Sequence, residues 1–262
     1  MEGQEISKPA APMPAVAAIG FADLRAALAA GASDFLRAPI MGLFFGAVFA
    51  AGGLAIVFSL LVWHVPWMIY PVAAGFPLIG PFVAVGLYEI SRRLEAGRAF
   101  TWGDILGVIW RQRQRELAWM AFVMLFVFWI WMYQVRLLLA VILSASSFST
   151  FDRFLEIVFT TPAGWTFLAV GHLVGAVLAL VLFSLTVVSI PLLLDRERDV
   201  VTAMITSVRV VLASPGPMIA WGLFVTAAVI AACLPMFVGL PVVLPILGHA
   251  TWHLYRRAVQ PE

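Results

Sequence analysis

Charged residues are scarce in this sequence, and cysteine occurs only once. Of its 262 residues, 11% are charged and 63% are hydrophobic, whereas a typical soluble domain carries about 25% charged residues. This balance excludes a soluble globular protein, because so much apolar surface cannot be hidden from water and must face lipid. The single cysteine, Cys233, excludes an internal disulfide and any metal site built from several cysteines.

Motifs that carry enzyme chemistry are absent as well. The sequence has no phosphate-binding loop, no glycine-rich dinucleotide loop and no nucleophile elbow. A zinc-hydrolase motif would need glutamate directly after the first histidine of a pair, but Ala250 follows His249. The basic residues follow a membrane pattern that suits anionic lipid headgroups. We therefore expect a non-enzymatic protein with no nucleic-acid partner.

Long apolar stretches are what the sequence does contain. A helix needs about 20 apolar residues to cross the hydrocarbon layer, and proline is tolerated where neighbouring helices satisfy the freed carbonyl groups. Six stretches meet this requirement: about 40–62, 72–90, 117–143, 163–194, 217–234 and 235–255. We therefore predict an all-α, polytopic membrane protein with six transmembrane helices.

Basic residues mark one side of this predicted topology. If the N-terminus is cytoplasmic, all of the 16 lysine and arginine residues except Arg136 and Arg153 fall in segments on the cytoplasmic side. Lysine and arginine are enriched in cytoplasmic loops. The pattern therefore predicts a multi-pass protein of the bacterial inner membrane, with both termini in the cytoplasm.

The cytoplasmic segments are themselves amphipathic. In the first of them, one helical face holds Phe21, Leu24, Leu28 and Phe35, and the opposite face holds Asp23, Ser33, Asp34 and Arg37. Similar segments begin near residues 102 and 199. Helices of this kind lie flat at a membrane interface, with their polar face in water.

Each amphipathic segment precedes a pair of spans, and the spacing repeats. The stretch GFPLIGPFVAVGLYEISRR at 75–93 aligns with GLPVVLPILGHATWHLYRR at 239–257, with glycines, prolines and arginines at matching positions. We therefore predict one membrane domain made of parallel two-span repeats, each preceded by a cytoplasmic interfacial helix. The predicted boundaries are a disordered cytoplasmic tail at 1–20, a membrane domain at 21–257 with repeats at about 21–93, 100–196 and 198–257, and a short cytoplasmic tail at 258–262.

Ionisable residues within spans are energetically unfavourable and are therefore candidates for function. The candidates in this sequence are Glu89, Arg136, His172, His249 and His253. Glu89 lies three and four residues before Arg92 and Arg93, a spacing that favours intrahelical ion pairs. Arg136 is expected near the outer interface, where it reaches lipid headgroups or pairs with Asp152 or Glu156.

The histidines allow three interpretations. His249 and His253 are four residues apart and could present two nitrogens to a metal, with Glu89 as a third ligand. His172 and His249 lie at similar depths and could bind a haem iron axially. Hydrogen bonding between closely packed helices explains the same residues without a cofactor. We expect no cofactor and no metal, with haem or metal binding as the alternative.

Three stretches of the chain together resemble a known family. They are GFPLIGPFVAVGLYEISRRLEAGR, SIPLLLDRERDVVTAMITSVRVV and LPILGHATWHLYRR. The family consists of bacterial integral membrane proteins and is catalogued as domain of unknown function 2189. The resemblance implies an inner-membrane, multi-span protein without an assigned activity. Some members are labelled automatically as a cytochrome c oxidase subunit, but this chain has only four histidines, fewer than the catalytic oxidase subunit needs for its haems and copper.

Three functions are consistent with these features. The near absence of polar groups that could line a pathway favours a non-enzymatic accessory or scaffold protein, which binds membrane lipids or other membrane proteins such as respiratory complexes. The alternative is a small-solute or ion transporter whose path follows the five candidate residues. The third is a haem-binding accessory component of a respiratory complex, with His172 and His249 as ligands.

Overall fold

The structure is a computed structural model that describes residues 13–62, 69–112, 116–143 and 150–261. Over these residues the chain is built from helices, which confirms the predicted all-α class. In chain order they are α1 (Phe21–Arg37), α2 (Pro39–Leu61), α3 (Ile69–Glu95), α4 (Trp102–Gln112), α5 (Glu116–Ile142), α6 (Phe151–Thr160), α7 (Pro162–Thr186), α8 (Ser189–Asp195), α9 (Val200–Ala213), α10 (Pro215–Cys233) and α11 (Leu240–Ala258). Residues 1–12 of the predicted N-terminal tail lie outside the described part of the chain.

Five segments are long and apolar enough to cross a membrane. They are Pro39–Leu61, Ala73–Glu95, Glu116–Ile142, Pro162–Asp195 and Pro215–Cys233. These segments correspond to α2, most of α3, α5, α7 with α8, and α10. They match the first five predicted spans in order, so the chain is a helical protein with several candidate membrane spans. The sixth predicted span falls on α11, which does not have the same apolar composition.

Helix α11 is long enough to cross a membrane but is more polar than the other five segments. Its 19 residues extend over about 28 Å at 1.5 Å per residue. Nine of them are buried, and α1, α2, α3 and α10 all pack around it. Because these neighbours cover most of the surface of His249 and His253, the composition of this part of α11 does not have to suit lipid.

Glycines let α1 and α2 approach α11 closely. A Cβ atom added at Gly31 would lie 2.5 Å from the backbone nitrogen of Ala250, and one added at Gly46 would lie 2.6 Å from the Cα atom of Pro241. The nearest atoms belong to the backbone of α11, so no side-chain movement could remove the clash that an added methyl group would cause. Between helices in a membrane, van der Waals packing of this kind provides much of the attraction.

Two amphipathic helices join the spans that follow them through the same backbone hinge. Helix α1 meets α2 through Ala38 (φ −136°, ψ 52°) and Pro39, and α9 meets α10 through Ser214 (φ −144°, ψ 61°) and Pro215. Proline fits the first position of a helix, and it disfavours helical geometry in the residue before it. The sequence therefore breaks the helix where the amphipathic segment ends and the span begins.

Each amphipathic helix packs against a span outside its own predicted repeat. Helix α1 packs on α11, α4 on α3, and α9 on α7 and α8. Helices α3, α8 and α11 also contact one another. At this centre the ring centroids of Tyr88 and Trp252, which are equivalent in the aligned stretches, lie 6.4 Å apart. A large cluster of buried apolar side chains surrounds them.

The two ends of the described chain are paired with each other. The amide of Ala17 donates to the carbonyl of Ala258 at 2.9 Å, and the amide of Gln260 donates to the carbonyl of Ala15 at 3.0 Å. Together they form a short antiparallel bridge. Residues 15–17 of the predicted disordered first tail and 258–260 of the predicted short second tail are therefore ordered through this pairing. Segments this short have no periodic pattern that would reveal their pairing in the sequence.

Replacing Gly31 by alanine should destabilise the protein by about 1–3 kcal/mol, because the added methyl group would overlap the backbone of α11. The midpoint of thermal unfolding in detergent measures the effect. Gly216→Ala is the matched control, since no described atom lies within 4 Å of a Cβ added there. Equal losses in the two variants would contradict the close packing of α1 on α11.

Candidate functional site

A network of charged and polar side chains joins the three helices that meet at the centre. Arg256 of α11 contacts Glu95 at the end of α3 (Nε to Oε1, 3.2 Å) and Asp195 at the end of α8 (Nη1 to Oδ2, 3.3 Å). Trp252 donates from Nε1 to Glu95 at 3.1 Å, and the hydroxyl of Tyr255 donates to Asp195 at 2.8 Å. Each carboxylate therefore receives one charged and one neutral donor from α11. The paired termini lie on the same side of the molecule.

Four side chains form a second, more deeply buried cluster between α1, α3 and α11. His253 Nε2 lies 2.7 Å from Asp34 Oδ2, and His249 Nδ1 shares a hydrogen bond of 2.8 Å with Ser91 Oγ. Asp34 is 5% exposed, and Ser91 and His249 are 0% exposed. The two histidines therefore bond to different neighbouring helices, as expected for interhelical hydrogen bonding.

Asp34 is held in its ionised form within this cluster. Burial acts to raise the pKa of its carboxyl group, but the hydrogen bonds with His253 and Ser91 and the proximity of the two histidines outweigh burial. The pKa of Asp34 consequently lies below its ordinary value. Removing the partners of a buried charge leaves it uncompensated and strongly destabilises a fold, so this pairing ties α1 to α11 and α3.

Glu89 is buried and is engaged by two arginines of its own helix. Its Oε2 atom lies 2.6 Å from Arg92 Nη2, an ion pair without good hydrogen-bond direction, and its Oε1 atom accepts from Arg93 Nε at 2.6 Å. Arg93 extends to Asp104 of α4 at 3.5 Å. Glu89 therefore makes the intrahelical ion pairs that its spacing predicts, and it also helps to connect α3 to α4.

The remaining two sequence candidates lie on the outer helices α5 and α7. His172 is exposed, its Nδ1 atom lies 2.7 Å from the carbonyl oxygen of Leu168, and its side chain lines an open groove of about 450 Å³ between α5 and α7. Arg136 is exposed on α5. Glu156, one of its expected partners, pairs with Arg153 at 2.6 Å instead.

These histidines and carboxylates do not form a ligand set for a metal or a haem. Within the described ranges, no three or more His, Cys, Asp and Glu side chains are grouped so that they could hold a metal ion. A haem held by His172 and His249 would need both imidazoles to face one cavity. His172 faces the α5–α7 groove, whereas His249 is fully buried beside Ser91 of α3. The geometry gives no support to metal or haem binding by these residues.

Three polar residues of interest were not among the sequence candidates. Asp34 was expected on the solvated face of α1, which was wrong because α11 covers it. Gly31 and Ala27, one and two turns earlier on the same face, could have revealed it, since small residues in that spacing are typical of close helix packing. Nothing in the sequence distinguishes Ser91. In α5, the amide atoms of Gln134 are shielded and have no hydrogen-bond partner among the described residues.

A family comparison covers the spans that carry part of this site. Residues 68–195, just under half of the chain, match the model of a family described as "Predicted integral membrane protein (DUF2189)". The predicted resemblance is confirmed. The match includes Glu89, Ser91 and Asp195, but it ends before the GHATWH stretch of α11, which the resemblance also used. No curated protein and no solved structure matches the chain. The chain is thus similar to integral membrane proteins of unknown function.

The lowered pKa of Asp34 predicts how acid affects stability. A carboxylate whose pKa is lower in the folded than in the unfolded protein stabilises the fold above its unfolded pKa of about 3.9, and that contribution is lost as the pH falls through the folded value. Asp34→Asn should therefore lower the thermal midpoint in detergent by a constant amount above about pH 5. The difference in thermal midpoint between wild type and variant should narrow progressively as the pH falls below about 4.

The control for this prediction is Ser33→Ala, an exposed change on the same helix, which should produce no pH-dependent gap. A difference between wild type and Asp34→Asn that stays constant down to about pH 3 would contradict the lowered pKa.

Proposed function

We propose that this protein is a non-enzymatic accessory or scaffold protein of the bacterial inner membrane, which binds lipids and other membrane proteins. The observation that carries the proposal is that ionisable groups on its central helices are engaged with one another. Glu89 pairs with arginines, His249 bonds to Ser91, and His253 bonds to Asp34. A transport path or a catalytic site needs side chains that can exchange partners with a solute or substrate. The two histidine pairs instead join α1 and α3 to α11, and Glu89 is held by the arginines of α3.

The proposed topology has six spans, with α11 as the sixth. Its support is the pairing of the termini, because chain ends on one face of a membrane protein require an even number of crossings. Five crossings would leave the ends on opposite faces. Helix α11 follows α10 after a short turn at 234–239, and its 19 residues are enough for one more crossing. The excess of basic residues on the side of the termini favours the cytoplasm for that side.

We also propose that three two-span units surround a common centre. They are α1–α3, α4–α8 and α9–α11. The amphipathic helix of each unit packs on the last span of the unit before it, and α1 of the first unit packs on α11 of the third, which closes the ring. The shared hinge before Pro39 and Pro215 supports the equivalence of the first and third units. The second unit differs through the extra helix α6.

The surface that we propose for protein partners lies on α5. In the most apolar 18-residue window of this helix 0% is buried, against 39% for α3. Large aromatic side chains cover it: Trp119, Phe122, Phe126, Trp129, Trp131 and Tyr133 are all exposed. The amide of Gln134 lies in the same helix but is shielded, so α5 offers its exposed aromatic rings to another membrane helix. Tryptophan and tyrosine are enriched among the residues that contribute most to binding energy at protein interfaces.

Cysteine labelling tests the topology. In a Cys233→Ala background, Val238→Cys places a thiol in the turn between α10 and α11, where Val238 is 71% exposed. Gln260→Cys places one at the paired termini. A membrane-impermeant maleimide should label Val238→Cys in intact spheroplasts and Gln260→Cys only after lysis, since an odd number of crossings separates the two positions. Labelling of both thiols from one side would exclude α11 as a span, and the reverse pattern would invert the orientation.

Native purification tests the partner surface. A membrane protein that co-purifies with the wild type should be recovered at least about fivefold less with Trp129→Ala, because truncating an aromatic side chain that anchors an interface costs more than about 1 kcal/mol. Leu137→Ala, on the exposed surface of the same helix, is the control for general changes in the α5 surface. Absence of any reproducible partner, or equal recovery with wild type and Trp129→Ala, would count against the proposed scaffold function at α5.

A further inference from the structure

An open groove lies between the first half of α1 and the first half of α10. Its volume is about 580 Å³, and its lining includes Phe21, Leu24, Leu28, Trp221 and Phe224, with Arg25 as its charged residue. Trp221 and Leu24 are buried and form its floor, whereas Phe21 is 59% exposed and Phe224 is 44% exposed and they form its sides. The groove is therefore apolar along its length and cationic at one edge.

Arg25 is available to bind a ligand at this edge. Its side chain is exposed, and within the described ranges no ion pair or hydrogen bond connects it to another residue. Asp23, the nearest acidic residue along α1, accepts a hydrogen bond from the amide of Gly20 at 2.9 Å and lies 3.8 Å from Arg257 Nε. The charge of the Arg25 guanidinium is thus not neutralised by its own helix.

The position of the groove determines what can occupy it. Helix α10 is a candidate membrane span, and Ala220–Phe224 lie five to nine residues from its start, about 8–14 Å along its axis. The outer faces of membrane spans meet lipid. An apolar groove that runs into the hydrocarbon layer, with a cation at the interface, matches a molecule with an acyl chain and an anionic headgroup.

We propose that this groove binds an anionic glycerophospholipid, whose acyl chain lies along Ala220 and Phe224 and whose phosphate pairs with Arg25. This assignment rests on the proposed function, because it locates the lipid binding of that function at one site. The planar donor fork of arginine suits phosphate, since it can pair with two oxygens at once.

The test compares Arg25→Gln with Arg37→Gln in purified protein in a neutral detergent. Both arginines lie on α1 and are exposed, but only Arg25 is among the groove-lining residues. The thermal midpoint is measured while phosphatidylglycerol or phosphatidylcholine is titrated, and glycerol phosphate is titrated separately. A ligand that binds the folded protein raises this midpoint.

Phosphatidylglycerol should raise the midpoint of the wild type and of Arg37→Gln more than phosphatidylcholine does. In Arg25→Gln the apparent affinity for phosphatidylglycerol should fall about fivefold, the factor that one basic residue contributes near an anionic membrane surface. Equal losses in the two arginine variants would overturn the site in favour of general surface attraction. A comparable rise with glycerol phosphate alone would overturn the lipid in favour of free phosphate.

Ala220→Phe tests the apolar part of the groove, because a phenyl group there fills the space while Arg25 is kept. This variant should weaken binding of both lipids and retain the wild-type midpoint in lipid-free detergent. Unchanged binding of both lipids would overturn the groove as the acyl-chain site. Thiol labelling and partner recovery do not involve Arg25, so they can succeed where this site fails, and the lipid titrations can succeed where no protein partner is found.

Discussion

Arg256 holds together the three helices on which the rest of the structure depends. It belongs to α11, and its guanidinium bridges carboxylates at the ends of α3 and α8. Each of these contacts is partly exposed and is individually weak. Together with the hydrogen bonds from Trp252 and Tyr255, they fix the rotation of α11 about its axis. That rotation directs His249 toward α3 and His253 toward α1.

Because α11 is buried among other helices, its low hydropathy does not exclude a position inside the helix bundle. Helices α5 and α10 face lipid over most of their surface, so their composition is almost uniformly apolar. Helix α11 contacts mainly other helices, and it can therefore carry histidines and arginines whose partners are protein groups. The glycines of α1 and α2 complete this arrangement, because they let two backbones cover α11 at short range. Polarity in this helix reflects what surrounds it and is compatible with a position inside the bundle.

The sequence was most informative wherever the signal lay within one segment. Hydropathy predicted the five apolar spans, and the spacing of Glu89 from Arg92 and Arg93 predicted their ion pairs. Helical periodicity shows which residues share a face, but it does not show what covers that face. Asp34 was therefore expected in water although it is paired with His253. Ser91 and the paired termini could not be predicted for the same reason, since their partners are set by tertiary packing.

The order of synthesis gives the pairing of Asp34 with His253 a further consequence. The two residues are separated by 219 positions, and a ribosome adds about 5–20 residues per second, so α1 waits roughly 10–40 s for its partner to emerge. During this interval the nascent chain exposes the unpaired carboxylate of Asp34 and the glycines of α1 and α2 that pack against α11. A chain truncated before α11 would keep them exposed, because α11 supplies the packing partners of Asp34 and of these glycines.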